Sequence, residues 1–245
     1  MSEPPAPELS LVIPVYDEAR ILERTFAALI PYYEGLGRSF EVVYVDDGSR
    51  DDSFAILERL AAGDARVRVE RLAENRGKGA AVRTGMLAAR GERVFFMDAD
   101  LSTPLEETPG FLGALDSGYE VVIGNRRAPG ARITHRQAWF RESLGKSFTV
   151  LTRLLLAPGV HDFTCGFKGF QSGAARRIFE RVTLPGWAFD AELVVIAQEQ
   201  GLKLAQLPVT WSNVGDTKVR LGSAVLGSLR DLLVIQKKRA RGDYR

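Results

Sequence analysis

Two aspartates separated by one residue, Asp98 and Asp100, follow a short apolar run that ends at Met97. If the chain stays extended there, side chains two positions apart point to the same side. Two carboxylates that face one space repel each other unless a cation lies between them, and ligation by oxygen suits Mg²⁺ or Mn²⁺. The pair therefore predicts a metal site that could bridge a diphosphate. Taken alone, the triplet favours a simpler role as turn or capping carboxylates ahead of Thr103 and Pro104.

A second acidic cluster, Asp46, Asp47 and Asp51, follows another apolar run and precedes a helical pattern. Capping of that helix by Ser49 or Asp51 accounts for one carboxylate and leaves two unexplained. A carboxylate at a strand end can accept the N–H of a nucleobase ring, and Tyr16 offers an aromatic face nearby. We assign this region to a nucleoside.

The segment Gly77, Lys78 and Gly79 opens a predicted helix after a third apolar run. Glycines let the backbone approach a ligand, and Lys78 supplies positive charge. The segment is not a P-loop, because no Ser or Thr follows the lysine, and Val82 stands where a dinucleotide fingerprint requires a third glycine. A phosphate-side role and an ordinary turn with a solvated Lys78 both remain open.

These polar clusters need strands to position them, and the sequence alternates strand and helix patterns. Apolar runs predict strands over Leu9–Tyr16, Phe40–Val45, Val67–Leu72, Arg93–Met97 and Tyr119–Ile123. Helical spacing predicts helices over Glu18–Leu36, Lys78–Ala89 and Leu105–Asp116. This alternation predicts an α/β fold with a doubly wound, mostly parallel sheet flanked by helices in a single domain. Ligands bind beyond the carboxyl ends of such strands, where the clusters lie.

Composition narrows the class of protein. A chain of 245 residues with 45% hydrophobic and 26% charged residues suits one large domain. A net charge of +2 argues against a dedicated nucleic-acid binder, so no nucleic-acid partner is expected. The single cysteine, Cys165, excludes an intramolecular disulfide and favours a reducing compartment. Residues 1–8 are expected to be a disordered leader without the layout of a secretory signal.

The ordered set of motifs closely resembles the inverting family-two glycosyltransferases of the GT-A fold. The segments that carry the resemblance are Val12–Glu18, Val45–Ser49, Asn75–Gly79, Asp98–Asp100, Gly124–Arg126, Asp162–Lys168 and Trp187–Glu192. They look most like the dolichyl-phosphate glucosyltransferases, next to the dolichyl-phosphate and polyprenyl-phosphate mannose synthases. The resemblance extends from Leu9 to about Lys218.

This resemblance implies roles for individual residues. The donor side would comprise Pro14, Tyr16, Glu18, Asp46, Asp47, Lys78 and Ala99. Asp98 and Asp100 would hold Mg²⁺ or Mn²⁺ and the diphosphate, and together with Arg126 they would carry the reaction. Arg126, Arg141 and Lys168 would meet a lipid phosphate. Related mannose synthases carry Gln where this chain has Ser102, which weakens any inference of a third metal ligand.

The implied reaction is direct displacement at the anomeric carbon by a polyprenyl or dolichyl phosphate oxygen, with inversion. Glucose from UDP-glucose is the expected donor sugar, with mannose from GDP-mannose or a soluble acceptor as alternatives. A nucleotide-sugar-binding module without catalysis is the alternative of a different class, and the presence of Asp98, Asp100 and Arg126 counts against it.

Two segments are candidates for contact with a membrane surface. They are residues 139–156, and an amphipathic helix over 221–235 that is followed by Lys237, Lys238, Arg239 and Arg241. An apolar face beside basic residues favours interfacial binding to anionic lipid. The alternative is that both helices pack on the sheet and the basic end is solvated. We therefore expect a catalytic domain over 9–220, an amphipathic helix with a basic tail over 221–245, and a peripheral enzyme on the cytoplasmic face of a membrane.

Overall fold

The computed structural model describes residues 6–135, 149–213 and 221–245. A seven-stranded sheet runs in the order β3-β2-β1-β4-β7-β5-β8, and a small second sheet pairs β6 with β9. The strands are β1 (Leu9–Val15), β2 (Phe40–Asp46), β3 (Val67–Arg71), β4 (Arg93–Met97), β5 (Val121–Asn125), β6 (Arg132–His135), β7 (Phe167–Gln171), β8 (Leu204–Pro208) and β9 (Thr210–Ser212). All five predicted strands are therefore present.

Helices follow most of these strands and cover both faces of the large sheet. They are α1 (Ala19–Gly35), α2 (Ser53–Gly63), α3 (Lys78–Ala88), α4 (Thr108–Asp116), α5 (residues 149–155), α6 (Ser172–Arg181), α7 (Phe189–Glu199) and α8 (Leu221–Arg241). A short 3₁₀ turn over Leu105–Glu107 precedes α4, so that helix begins three residues later than predicted.

Strand β7 is the one reversed strand of the large sheet. It pairs antiparallel with β4 and β5, whereas the other four pairings of that sheet are parallel. Reversal brings the start of β7 to the edge where the neighbouring strands end. Residues that precede β7 are therefore delivered to the same rim as the aspartates that follow β4.

The core has two halves, one on each face of the sheet. Along β4, Val94 and Phe96 belong to the half beneath α3, α6 and α7, while Phe95 and Met97 belong to the half beneath α1 and α4. This alternation is the period of two expected of a strand buried on both faces. The fold prediction of a mostly parallel sheet between helices in a single domain is confirmed.

The two ends of the chain differ from the prediction. The carbonyls of Pro7 and Glu8 accept hydrogen bonds from the amides of Glu92 and Arg93, at 3.2 and 2.9 Å, so the last residues of the expected leader are tied to β4. The basic residues expected to form a tail after the amphipathic helix belong to α8 itself, which ends at Arg241, and Tyr244 beyond it is buried. Among the described residues, no helix is long and apolar enough to cross a membrane.

Candidate functional site

Asp98 lies at the end of β4, where the chain meets the start of β7. Its amide donates to the carbonyl of Gly166 at 3.1 Å, and its carboxylate rests against Gly166, where a Cβ would stand 1.9 Å from Oδ2. The other carboxylate oxygen, Oδ1, lies 2.6 Å from the ammonium of Lys78. The Asp98 side chain remains about one-third exposed, at 34%. A glycine and a lysine from two other elements thus fix a carboxylate that still reaches solvent.

Asp100 lies in the turn after β4, two residues beyond Asp98. Its Oδ1 accepts a hydrogen bond from the amide of Ser102 at 2.9 Å. Burial, and secondly the charge of Asp98, raise the pKa of the Asp100 carboxyl. The turn is held by Thr25, whose hydroxyl donates to the carbonyl of Ala99 at 2.6 Å, and Leu101 adopts a left-handed φ of 52°. The two aspartates are therefore close enough to repel each other.

The residues present fit a divalent cation that is completed by substrate. In the described part of the chain, no group of three or more His, Cys, Asp or Glu side chains forms a metal cage. Mg²⁺ is commonly held by one or two carboxylates together with substrate phosphates, and this needs only a pair such as Asp98 and Asp100. Burial is the largest cause of the raised pKa of Asp100, and the charge of Asp98 adds to it; a cation bound by the two carboxylates would relieve the second contribution.

Lys78 is the first residue of α3, and the glycines on either side of it serve packing. A Cβ at Gly77 would lie 2.5 Å from the carbonyl oxygen of Pro185, and one at Gly79 would lie 2.5 Å from that of Leu184. The Gly79 amide donates to the Pro185 carbonyl at 2.8 Å. The glycines predicted a close approach of the backbone to a ligand. In the structure, the backbone at these glycines instead lies close to residues 184–186, just before α7. The alternative of a solvated Lys78 is wrong, because its ammonium binds Asp98 and its side chain is only 14% exposed, whereas a phosphate-side role for Lys78 stays a prediction.

Asp46 and Asp47 differ sharply in what their carboxylates contact. Asp47 accepts hydrogen bonds from the amides of Arg76 and Gly77, both at 2.8 Å, so it holds the turn that leads to Lys78. Asp46 is fully buried, and its Oδ2 has no hydrogen-bond partner within the described residues, although the Arg71 Nε lies 3.5 Å away. Nucleoside contacts by either residue stay a prediction, and the Asp47 carboxylate already has a structural role.

The loop after β1 is bound to the loop after β2. The Glu18 amide donates to the Ser53 hydroxyl at 2.8 Å, and the Arg50 amide donates to the Asp17 carboxylate at 2.7 Å. Asp51 accepts from the amides of Ala19 and Ser53, so it supports the starts of both α1 and α2. These bonds place the predicted nucleoside residues Pro14, Tyr16 and Glu18 beside the Asp46 loop. All three are partly exposed.

Arg126 follows β5 and is oriented by a carboxylate from the segment before β7. Its Nε and Nη2 donate to the two oxygens of Asp162 at 2.7 and 2.8 Å, and Nη2 also donates to the Thr164 hydroxyl at 2.8 Å. Although burial opposes ionisation, Arg126 keeps the pKa of the Asp162 carboxyl below its usual range. These two parallel bonds fix the plane of the guanidinium, and the Arg126 side chain as a whole is 20% exposed.

Lys168 is buried in β7 rather than displayed at the rim. Its ammonium lies 2.5 Å from Asp190 Oδ1 and 2.6 Å from the Cys165 carbonyl, and neither charged side chain is more than 1% exposed. Lys168 therefore carries its charge beneath the surface. Its predicted contact with an acceptor phosphate stays a prediction, and Arg141 lies outside the described residues.

Comparisons with known proteins identify the family of the chain. Residues 10–179, more than half of the chain, match the family described as "Glycosyl transferase family 2". The chain belongs to glycosyl transferase family 2. The human dolichyl-phosphate beta-glucosyltransferase is 32% identical over 254 residues, which cover 98% of this chain and 78% of the relative. The glycosyltransferase AglD of Haloferax volcanii is 34% identical over 223 residues, and the match covers 90% of this chain but 35% of AglD.

Solved structures support the fold. Glucosyl-3-phosphoglycerate synthase from Mycobacterium tuberculosis, crystallised with Mn²⁺, UDP-glucose and phosphoglyceric acid, aligns with a TM-score of 0.68 at 21% identity. The alignment covers 94% of this chain and 80% of that one. At this identity the likeness establishes the GT-A fold alone.

The family-two site also includes residues that sequence reasoning did not assign. Trp187 lies with its ring centroid 5.2 Å from the Lys78 ammonium and is 46% exposed. Asp190 is buried and binds the Lys168 ammonium at 2.5 Å; although burial opposes it, the charges of Asp98 and then Asp190 raise the pKa of Lys78. The sequence signal available for Trp187 was its place in Trp187–Glu192, one of the segments that carry the family resemblance. For Asp190, an acidic residue at a helix start suggested exposure, and no sequence signal showed its burial.

Proposed function

We propose that this family-two glycosyltransferase transfers glucose from UDP-glucose to a polyprenyl or dolichyl phosphate with inversion. The observation that carries the proposal is the Asp98 carboxylate, which contacts Lys78 and Gly166 at the rim and whose charge acts on the carboxyl of Asp100 two residues later. Such a pair suits the diphosphate of a nucleotide sugar. The choice of glucose and of a lipid phosphate is supported by the names of the human and other relatives.

On the donor side, Asp98 and Asp100 would hold Mg²⁺ or Mn²⁺. When bound, such a cation stabilises the negative charge that develops on a departing nucleoside diphosphate. The side chains of Tyr16 and Glu18 and the backbone around Pro14 would contact the nucleoside beside the Asp46 loop. The Thr25 hydroxyl keeps the Ala99 carbonyl, and with it the whole turn, in position.

On the acceptor side, Arg126 would receive a phosphate monoester; its partly exposed side chain supports this role. Its guanidinium is already oriented by Asp162 and Thr164, so little side-chain entropy remains to be lost on binding. A phosphate monoester is anionic near neutral pH, so its oxygen can attack the anomeric carbon without a general base. Arg141 and Lys168 are further acceptor-side residues that the resemblance suggests.

A lipid acceptor requires the enzyme to reach a membrane surface, which we place at the cytoplasmic face. Exposed apolar side chains on α5 and α8 suit that contact: Val150 and Leu154 are 46% and 70% exposed, and Leu233 is 56% exposed. Lys237 and Arg241 are exposed on the same helix as Leu233. Apolar and basic side chains together favour binding to anionic lipid.

The deciding experiment is transfer of labelled sugar into a polyprenyl phosphate that partitions into organic solvent, in the presence of Mg²⁺ or Mn²⁺. We expect label in the organic phase from UDP-glucose. Label from GDP-mannose alone would identify mannose as the transferred sugar. Label on a soluble acceptor such as 3-phosphoglycerate alone would identify a soluble acceptor. Donor binding with no transfer to any acceptor would identify a binding module instead.

A single substitution tests whether Asp98 and Asp100 hold the metal. Asp100→Ala is expected to retain its fold but to lose metal-dependent UDP binding and transfer, since one of the two carboxylates is gone. Asp52→Ala is a suitable control, because Asp52 is exposed and makes no side-chain cap to α2. Full activity of the Asp100→Ala protein would contradict the assignment of Asp98 and Asp100 as the metal site.

A further inference from the structure

We propose that Trp211 is a positioning residue for Arg126: its indole restrains the guanidinium, so that the two N–H groups of Nη1 are presented to the acceptor phosphate. The inference rests on the proposed function, in which Arg126 receives that phosphate, and it identifies what helps to set the angle of the arginine. Trp211 lies on β9, outside the seven segments that carry the resemblance to family two.

Most of the hydrogen-bonding capacity of Arg126 is already used inside the protein. A guanidinium carries five N–H groups in one plane, one on Nε and two on each Nη. Nε donates to Asp162 Oδ2 at 2.7 Å, and Nη2 donates to Asp162 Oδ1 and to the Thr164 hydroxyl, both at 2.8 Å. Within the described part of the chain, Nη1 makes no hydrogen bond. Its two N–H groups are therefore the ones that an acceptor oxygen can use.

The Trp211 ring is a further contact of the guanidinium, and it differs in kind from the hydrogen bonds. Arg126 Cζ lies over the ring, 5.4 Å from its centroid, within the distance at which an aromatic face attracts a cation. This attraction requires no hydrogen-bond acceptor, whereas the contacts with Asp162 and Thr164 each occupy an N–H group. The ring can therefore restrain the guanidinium while Nη1 keeps its donors for a ligand.

The backbone on both sides of Trp211 is fixed, so the indole projects from an anchored strand. The Thr210 amide donates to Glu107 Oε1 at 2.8 Å, and the Ser212 amide donates to the Ser102 carbonyl at 2.8 Å. Ser102 belongs to the turn after β4, which carries the predicted metal ligands. Strand β9 therefore contacts the donor side through Ser212 and the acceptor side through Trp211.

This arrangement gives Trp211 an effect on the acceptor rather than on the donor. Without the ring, Arg126 keeps its bonds to Asp162 and Thr164, but the guanidinium is free to rock about them. Binding of the acceptor phosphate then has to fix an angle that the wild type has already fixed. The expected change is a higher KM for the acceptor with an unchanged affinity for UDP.

The test compares the acceptor KM with the UDP affinity in single variants of the full chain. Sugar transfer from UDP-glucose to polyprenyl phosphate gives KM, and calorimetry with UDP and Mn²⁺ gives the donor affinity. Trp211→Leu is expected to raise KM about fivefold, the effect of losing a cation–ring contact at a partly exposed position. Trp211→Phe keeps an aromatic face and should stay within about twofold of the wild type. Tyr119→Leu is the matched control, because it removes an exposed aromatic side chain before β5, whereas Arg126 follows that strand.

A double variant shows whether the effect of Trp211 passes through Arg126. Trp211→Leu should raise the acceptor KM in the wild-type protein but leave it unchanged in the Arg126→Met protein, where no guanidinium remains to be restrained. An equal rise in both proteins would overturn the inference, because the indole would then contact the acceptor itself.

The remaining outcomes separate the inference from the proposed function. If the UDP affinity of Trp211→Leu falls together with its affinity for the acceptor, the variant disturbs β9 and the turn after β4, and the inference is overturned. If the wild type transfers sugar to polyprenyl phosphate and Trp211→Leu has the same KM, the inference fails alone. If the wild type transfers no sugar to polyprenyl phosphate, the proposed function fails and the inference fails with it.

Discussion

Gly166 and Asp98 are in direct contact across the junction of β4 and β7. The Asp98 carboxylate fills the space that a side chain at position 166 would need, because a Cβ there would lie 1.9 Å from Oδ2 and 2.4 Å from the carboxyl carbon. The same two residues share the bond from the Asp98 amide to the Gly166 carbonyl at 3.1 Å. The absence of a side chain at residue 166 is therefore a condition for the position of Asp98.

Gly166→Ala is expected to displace Asp98 and to lower the rate of sugar transfer by about a hundredfold, the effect of misplacing a reacting group by roughly 1 Å. Mn²⁺ binding with UDP should weaken in parallel. Gly110→Ala is the control, because a Cβ at Gly110 meets no atom within 4 Å. A fully active Gly166→Ala protein would show that the position of Asp98 is not required.

Asp162→Asn tests the role of the oriented guanidinium. The substitution removes the charge that holds Arg126 through two parallel bonds, so the arginine should lose its fixed plane. We expect KM for polyprenyl phosphate to rise about tenfold or more, since charge-assisted bonds contribute roughly 1.5–3 kcal/mol. UDP binding should be unchanged. Arg126→Lys should show the same pattern, because a lysine cannot form the two parallel bonds. A change confined to UDP binding would contradict an acceptor role for Arg126.

Acid stability should depend on Glu41, which lies on β2. Its carboxylate is 3% exposed and binds the Ser10 hydroxyl, the Arg90 amide and the Arg90 and Arg68 guanidiniums. Burial alone would raise its pKa, but these partners outweigh burial and lower it from the ordinary 4.5. A lowered pKa gives stability that is present above the unfolded value and is lost as pH falls through the folded value.

Glu41→Gln should therefore reduce the free energy of unfolding at pH 7 by about 2 kcal/mol, within the range for bonds to charged groups. The difference from wild type should shrink as the pH falls below the ordinary value of 4.5 and through the lowered pKa of the folded wild-type carboxyl. Urea denaturation at a series of pH values measures both effects. Glu58→Gln, at an exposed position on α2, is the control. A difference that stays constant with pH would argue against the charge as the cause.

The strands and the rim could be predicted because their signals are local. Runs such as residues 93–97 and 40–45 are apolar and rich in β-branched or aromatic side chains, and polar residues follow them directly. Strand β7 was not predicted, because Phe167–Gln171 contains a lysine and a glycine and has no apolar run. Its reversed direction depends on the path of the chain before it, which no local pattern records.

The interior of the site could not be predicted for a related reason. Lysine and aspartate are rarely buried, so composition alone places Lys168 and Asp190 at the surface. Their burial depends on a pairing between residues 22 apart in the chain. Likewise, Gly77 and Gly79 suggested a ligand contact, whereas their actual neighbours are Leu184 and Pro185. Long-range packing decides what these positions contact, and sequence spacing does not report it.

The C-terminal residues should contribute to stability through Tyr244, which is 1% exposed and donates a hydrogen bond to Glu192 at 2.9 Å. Glu192 also accepts from the amides of Thr183 and Leu184, so it ties the chain end to the segment that packs on α3. Tyr244→Phe should cost about 1 kcal/mol of unfolding free energy, and Tyr244→Ala about 3–5 kcal/mol. Thermal unfolding of the two Tyr244 variants and the wild type measures these losses of unfolding free energy. Tyr119→Phe, 42% exposed, should have little effect.

Membrane binding must be tested without disturbing that anchor, because deleting the end of the chain would remove Tyr244. Lys238 and Arg239 are also unsuitable, since they pair with Glu192 and Glu199. The exposed Lys237 and Arg241 are the residues to change.

The double variant Lys237→Gln/Arg241→Gln should reduce flotation with anionic vesicles by about thirtyfold if both charges lie at the surface, at roughly 1 kcal/mol each. The reduction should disappear with neutral vesicles and in high salt, because screening removes the contribution. Arg20→Gln/Lys203→Gln makes the same change of net charge at two other exposed positions and should bind as the wild type does. Equal losses in the two double variants would mean that net charge, rather than the α8 surface, controls the contact. If the wild type floats with the vesicles and neither double variant floats less, membrane binding would be assigned to apolar side chains such as Leu154 and Leu233.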